Sequence, residues 1–149
     1  MIIKINNKIV IHKILDLFTP YLETLRTGKI EKDLLAKKLY ENGICIVLYE
    51  NREAVGFAAF YCNDYINGMA YLSLIAVKPE YGQKGYGRQL ISEVKKISEK
   101  AGMKWIKLEV LKRNEIAVKF YKKQGFTFLE QKNSDSFFMK LNIEKEPEE

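Results

Sequence analysis

A chain of 149 residues with 47% hydrophobic and 30% charged side chains is long enough for one domain with a real core. No apolar run approaches the ~18 residues of a membrane span, and Met1-Ile2-Ile3-Lys4-Ile5-Asn6 lacks the apolar stretch and cleavage site of a secretory signal, so a cytoplasmic protein without membrane contact is expected. The net charge is +6, and because Glu144 to Glu149 carries four acids and one base, the rest of the chain stands at +9.

Ile2 to Ile5 reads as a short first strand. Ile11, Ile14, Leu15 and Phe18 follow at helical spacing. Thr19-Pro20 has the form of an N-cap with proline at the first helical position, and Gly28 reads as the stop of that helix. A further helix spans Ile30 to Tyr40 and closes at Asn42-Gly43. Three strands then form a meander: Ile44 to Glu50, Val55 to Tyr61 after an Asn51-Arg52 turn, and Met69 to Val77 after a polar turn from Asn63 to Gly68. Cys45 and Cys62 fall inside these apolar runs and read as buried thiols.

A proline and a loop with three glycines end the third of these strands. A helix follows to Lys100, with Leu90, Ile91, Val94 and Ile97 on one face, and Ala101-Gly102 terminates it. Trp105 to Val110 is a strand, Asn114 to Gln124 a helix closed by Gly125, and Phe126 to Gln131 with Phe137 to Ile143 a terminal hairpin. The pattern predicts an α/β (α+β) protein: a single mixed, mainly antiparallel, twisted sheet of about seven strands flanked by about four helices. One domain is expected over residues 1–143, with 144–149 as an acidic disordered tail.

The segment Val77-Lys78-Pro79-Glu80-Tyr81-Gly82-Gln83-Lys84-Gly85-Tyr86-Gly87-Arg88-Gln89-Leu90 carries the first chemical signal. A strand feeding a glycine loop and a helix N-terminus brings backbone N–H groups and the positive end of a helix dipole to one place. Lys84 and Arg88 add counter-charge, so a phosphorylated ligand is expected. The P-loop pattern does not fit Gly82 to Arg88, and a dinucleotide fingerprint lacks its third glycine after Gly85-Tyr86-Gly87.

The second signal runs from Leu108 through Phe126. Asn114, Ala117 and Tyr121 fall on one helical face. Asn114 stands at the helix start, where its amide either caps the helix or bonds a ligand, and Ala117 leaves room beside it.

Together the two segments resemble the GNAT superfamily of acyl-coenzyme-A-dependent N-acetyltransferases. The first is similar to its motif A, V-x-P-x-x followed by a Q/R-x-x-G-x-G/A turn. The second is similar to its motif B, N-x-x-A-x-x-x-Y with a G-F step into the next strand. One position departs: Gly82 stands where the motif has Gln or Arg, and Gln83 comes one place late. Gln83 is thus either a ligand contact or an exposed loop residue.

The resemblance implies acetyl-CoA as co-substrate and a primary amine, on a small molecule or a peptide, as acceptor. It implies that Ile75, Ala76 and Val77 pair through their backbone with the pantetheine arm. Gln83, Lys84, Gly85, Tyr86, Gly87 and Arg88 would wrap the pyrophosphate. Asn114 and Ala117 would border the coenzyme arm, and Tyr121 would lie near the sulfur. The fourth and fifth strands would splay apart to admit the thioester, and a backbone N–H, at Ile75, would face the developing oxyanion.

Tyr121 is the candidate acid for the leaving thiolate, against the alternative of an aromatic packed on the sheet. Glu109 is the candidate general base, at the position of the glutamate in ribosomal-protein N-terminal acetyltransferases; its alternative is a strand carboxylate paired with Lys107 or Lys112. Asp64, Glu130 and Asp135 are further carboxylates in loops on the acceptor side. No Cys/His spacing points to a metal, and His12 reads as an ordinary helix residue. A non-catalytic acyl-coenzyme-A sensor on the same fold is the competing reading. A nucleic-acid module, motivated by the basic body, lacks a reader motif. Edge strands in such sheets can pair two copies into a homodimer.

Overall fold

The computed structural model describes residues 1–143, so the acidic tail falls outside the described residues. Strand β1 (Ile2–Ile5) leads into α1 (Lys8–Phe18), which Asn7 caps by accepting from the amides of Ile9 and Val10 at 2.9 and 3.1 Å. Helices α2 (Glu23–Arg26) and α3 (Lys32–Asn42) come next. Then follow β2 (Ile44–Glu50), β3 (Glu53–Asp64) and β4 (Met69–Val77). After α4 (Tyr86–Lys100) come β5 (Trp105–Leu111), α5 (Glu115–Lys123), β6 (Thr127–Gln131) and β7 (Ser136–Asn142).

The seven strands form one sheet in the order β1-β2-β3-β4-β5-β7-β6. Every neighbouring pair is antiparallel except β4 and β5. The expected mixed, mainly antiparallel sheet is therefore present. So is the expected divergence of the fourth and fifth strands, because β4 and β5 pair only from Met69↔Trp105 to Leu72↔Leu108.

Alternating side chains supply two cores. Ala58, Phe60, Leu72, Ile106, Leu108 and Met139 face α4 through Leu90, Ile91 and Val94. Phe57, Ala59 and Leu74 face the other way, onto Leu15 and Phe18 of α1 and Leu35 and Leu39 of α3. Helix α5 lies on the α4 side, where Ala117, Phe120 and Tyr121 join the first core. Cys45 and Cys62 are both free and buried, and burial pushes the Cys45 thiol up to about 12, which leaves it inert at neutral pH.

One expected element differs. The helix read from Pro20 to Gly28 does not form as a unit. The Thr19 hydroxyl donates back to the Leu15 carbonyl at 2.7 Å, so Thr19 closes α1 rather than opening a new helix. Thr19–Tyr21 is a 3-10 turn, and Leu22 is extended at φ −127° and ψ 110°. Only the single turn of α2 follows, with Leu25 buried in the second core. The helix-start pattern is overruled, because tertiary burial of Phe18 and Leu25 on either side of Pro20 breaks the segment in two.

No helix among the described residues is long and apolar enough to cross a membrane.

Candidate active site

The site begins with a fault in β4. Ala59 of β3 pairs with Leu74 and Phe60 with Leu72, so Ser73 is an extra residue. The bulge reverses the alternation: Leu72 packs toward α4, whereas Leu74 packs toward α1 and α3. Pairing with β5 stops at the residue before the bulge. From there to Val77, β4 bonds β3 alone, through Ala58↔Ile75, Phe57↔Ala76 and Gly56↔Val77. Beyond Leu108, β5 continues only with β7, through Glu109↔Phe138 and Val110↔Phe137. An open wedge results, with the edge of Ile75, Ala76 and Val77 along one wall and Glu109 to Leu111 along the other.

The glycine loop lies at the end of that edge. Pro79–Tyr81 is a 3-10 turn entered from Lys78, and the Tyr81 and Gly82 amides donate to the carbonyls of Lys78 and Pro79. Thereafter no backbone amide from Gln83 to Arg88 finds an acceptor among the described residues. The next amide, Gln89, donates to the Gly85 carbonyl at 3.0 Å and begins the α4 ladder. A continuous run of unclaimed donors at a helix N-terminus, with Lys84 and Arg88 exposed beside it, suits a diphosphate.

The displaced glutamine has a conformational consequence. Gly82 takes an ordinary φ of −64°, whereas Gln83 is left-handed at φ 61°. The left-handed position therefore falls on the residue with a side chain and not on the glycine before it. Left-handed backbone costs a non-glycine residue roughly 1–2 kcal/mol, while glycine loses about 0.5–1 kcal/mol more entropy on folding. Gln83→Gly is therefore expected to stabilise the fold by about 0.5–1 kcal/mol, a rise of a few degrees in the melting temperature of a chain this size. Its coenzyme A affinity should stay within about twofold, because the backbone amide is retained. A fall in melting temperature would contradict the strain assignment.

Gly85 and Gly87 do different things. Gly85 is left-handed at φ 83° and caps α4, and a Cβ there would meet only the mobile Arg88 guanidinium at 3.3 Å. Gly87 is ordinary helix, but a Cβ there would sit 2.9 Å from the Phe120 ring. At Gly87 the side chain is therefore excluded by the packing of α4 against Phe120 of α5.

Helix α5 carries the second motif. Asn114 is its N-cap: Oδ1 accepts from the Ala117 amide at 3.2 Å, and Nδ2 has no partner among the described residues. Both sequence alternatives for Asn114 are thus compatible, since the cap uses the oxygen and leaves two N–H donors. Tyr121 packs edge-on to Phe120 and Phe126, with ring centroids 5.5 and 5.6 Å away. Its hydroxyl has no hydrogen-bond partner among the described residues, and burial pushes it up to about 12.

Glu109 lies on the opposite face of the sheet from Tyr121, because its neighbours Leu108 and Val110 point into the α4 core. Its partner is neither Lys107 nor Lys112, as the sequence suggested. Lys132 Nζ donates to Oε1 at 2.6 Å and Ser136 Oγ to Oε2 at 2.9 Å. Burial alone would raise the carboxyl, but the two hydrogen bonds, with the charges of Lys132 and Lys29, outweigh it and hold Glu109 below the ordinary carboxylate value. Lys107 pairs with Glu130 at 3.8 Å and lies 4.1 Å over the Phe138 ring. Tyr71 also faces Glu109; burial, then the Glu109 charge, raises its hydroxyl. Lys132, Ser136 and Tyr71 were not singled out in the sequence. Lys132 and Ser136 reach Glu109 through the β6–β7 turn, and no local pattern encodes that approach.

The other candidates lie apart. Asp64 is occupied by Asn67 within the β3–β4 turn. His12 bridges α1 and α3, through Asp16 at 3.2 Å and Asp33 at 2.5 Å.

The comparisons agree with this geometry. The family model described as the Acetyltransferase (GNAT) family matches residues 11–126. The spermidine N(1)-acetyltransferase of Thermoplasma acidophilum is 28% identical over 133 residues, covering 83% of this chain and 78% of that protein. The PaiA N-acetyltransferase of the same organism, solved in complex with coenzyme A, superposes with a TM-score of 0.74 at 20% identity, covering 95% of this chain and 99% of the other. The ribosomal-protein-S18-alanine N-acetyltransferase of Escherichia coli superposes with a TM-score of 0.76 at 21% identity, covering 99% and 97%. Family match, bulged and splayed sheet, and unclaimed loop amides converge: the chain belongs to the acetyltransferase (GNAT) family and is an acyltransferase with acetyl-CoA as its co-substrate.

Proposed function

We propose that this protein acetylates a primary amine by direct attack within a ternary complex. The observation that carries the reading is the run of unclaimed amides from Gln83 to Arg88, which follows directly on the β4 edge of the wedge. Acetyl-CoA supplies an activated acetyl thioester. The amides of Gln83 to Arg88, with Lys84 and Arg88, hold the diphosphate. The free edge at Ile75, Ala76 and Val77 aligns the pantetheine arm, and Asn114 Nδ2 donates to it beside the small Ala117. An N–H of that edge, at Ile75, stabilises the oxyanion. The Tyr121 hydroxyl, on the α5 face, bonds the departing thiolate.

The amine approaches from the other face and passes its proton to Glu109 through a water. A carboxylate held below its ordinary pKa is a weak base, which bears on the acceptor. Neutralising a lysine-like amine at pH 7 costs about 4.6 kcal/mol, but an α-amine only about 1 kcal/mol. On this face Glu109 and Glu130 are already paired with Lys132 and Lys107, so neither offers a vacant seat to a polycation. These facts favour an α-amine, as on a peptide N-terminus, over a polyamine.

The test is thiol release from acetyl-CoA with a panel of α-amines and polyamines at pH 7. The highest kcat/KM is expected for an α-amine. Highest efficiency with spermidine would overturn the acceptor assignment, and no release with any amine would favour a non-catalytic acyl-CoA sensor.

A further inference from the structure

No backbone amide from Gln83 to Arg88 donates a hydrogen bond among the described residues, and the loop contains left-handed backbone at Gln83 and Gly85. A segment of that kind is ordered by what grips its ends. Both ends are gripped by the tight β2–β3 hairpin, whose two turn residues, Asn51 and Arg52, are themselves left-handed at φ 49° and 66°. Glu53 accepts from Lys78 Nζ at 3.0 Å through one oxygen and from the Tyr81 hydroxyl at 2.5 Å through the other. Glu50 accepts from the Tyr86 hydroxyl at 3.2 Å. The Lys78 amide donates to the Val55 carbonyl at 2.8 Å, which fixes the start of the loop to β3. Lys78, Tyr81 and Tyr86 bracket the phosphate-facing turn, so two carboxylates on one hairpin hold its entry and its exit.

The electrostatics make this arrangement informative. Two carboxylates beside a diphosphate seat disfavour anion binding through space, and Lys78, only 8% exposed, is committed to Glu53. Charge and loop order therefore predict opposite signs for the loss of Glu53.

We propose that the β2–β3 hairpin is a brace for the diphosphate loop, with Glu53 and, secondarily, Glu50 as positioning residues that hold its amides in the binding arrangement. The proposal rests on the reading of that loop as the coenzyme A seat. Ordering the loop before the ligand arrives removes an entropic cost from binding, so the brace acts on affinity and not on the acetyl-transfer step.

The test compares wild type, Glu53→Ala and Tyr81→Phe. Coenzyme A affinity is read by calorimetry at low and high salt, acetyl transfer by initial rates, and amide exchange of residues 83–88 in the ligand-free protein. Glu53→Ala is expected to weaken coenzyme A binding about 10-fold at both salt concentrations, with KM for acetyl-CoA raised, kcat retained and faster exchange across the loop. Tyr81→Phe, which removes a single oxygen, should shift the same readouts in the same direction by about threefold and serves if Glu53→Ala does not fold. Unchanged or tighter binding in the variants, with exchange unaltered, would overturn the brace. If wild type itself fails to bind coenzyme A, the diphosphate reading falls, and the exchange comparison still decides whether the hairpin orders the loop.

Discussion

Tyr121→Phe is expected to lower turnover about 10²–10³-fold, the usual cost of losing one donor aimed at a developing negative charge. The argument turns on its hydroxyl, which has no hydrogen-bond partner among the described residues and which burial pushes up to about 12. Against a thiol of reference pKa ~8.5, complete transfer of that proton is uphill by roughly 5 kcal/mol. The hydroxyl therefore works as a hydrogen-bond donor that strengthens as charge grows on sulfur, not as a free proton source. Two further outcomes separate this role from a packing role. The variant should bind coenzyme A within about twofold of wild type, because ring and shape are retained. It should also melt no lower, because the lost hydroxyl had no internal bond to give up. The sign of the pH dependence follows as well. A hydroxyl held near 12 remains a donor throughout the assay range, so the rate should climb as the acceptor amine deprotonates, with no fall attributable to Tyr121 below about pH 11. Full activity in the variant would remove Tyr121 from the chemistry.

Gly87→Val should be the more disruptive change, and the reason is packing. The Cβ alone would stand 2.9 and 3.0 Å from two carbons of the Phe120 ring, and the valine methyls extend further. Overpacking of this sort costs about 1–3 kcal/mol. Because Phe120 is next to Tyr121 and on the same short helix as Asn114, relief comes by moving α5 away from α4. A displacement of about 1 Å at a reacting centre is worth about 10²-fold in rate. Both coenzyme A affinity and turnover are expected to fall, with a lower melting temperature. The stability lost by Gly87→Ala should be largely recovered when the same change is made in a Phe120→Ala background and measured against Phe120→Ala alone, because the ring that the new methyl meets is then absent. No recovery would show that Gly87 is constrained by something other than Phe120.

The element order was legible because each strand and long helix announces itself locally. Leu90, Ile91 and Val94 mark the buried face of α4, and the boundaries of β1, β2 and β4 fall where the sequence pattern puts them. The two motifs placed Gln83–Arg88 and Asn114–Tyr121 on the loop and helix where the structure has them. What was not legible depends on contacts between distant segments. Thr19-Pro20 carries a helix-start pattern, yet the Thr19 hydroxyl turns back to Leu15 and burial of Leu25 decides the path. Ser73 gives no local sign, because Leu72-Ser73-Leu74 alternates as an unbroken strand would, and both leucines are apolar since both faces of the sheet are covered. Lys132 meets Glu109 across 23 residues, and Glu53 meets Tyr81 across 28. Spacing along the chain says nothing about such pairs. The exchanged order of Gly82 and Gln83 was visible as letters; its meaning, left-handed backbone on a glutamine, came only with the dihedral angles.

Titration of the wild-type protein with coenzyme A, followed by calorimetry and by the amide chemical shifts of residues 83–88, measures the central claim most directly. Saturable binding at one site per chain is predicted, with the largest shifts at the amides of Gln83 to Arg88 and at Asn114, and with markedly weaker binding of dephosphorylated pantetheine. Absence of binding at millimolar coenzyme A, or binding that leaves those amides unperturbed, would contradict it.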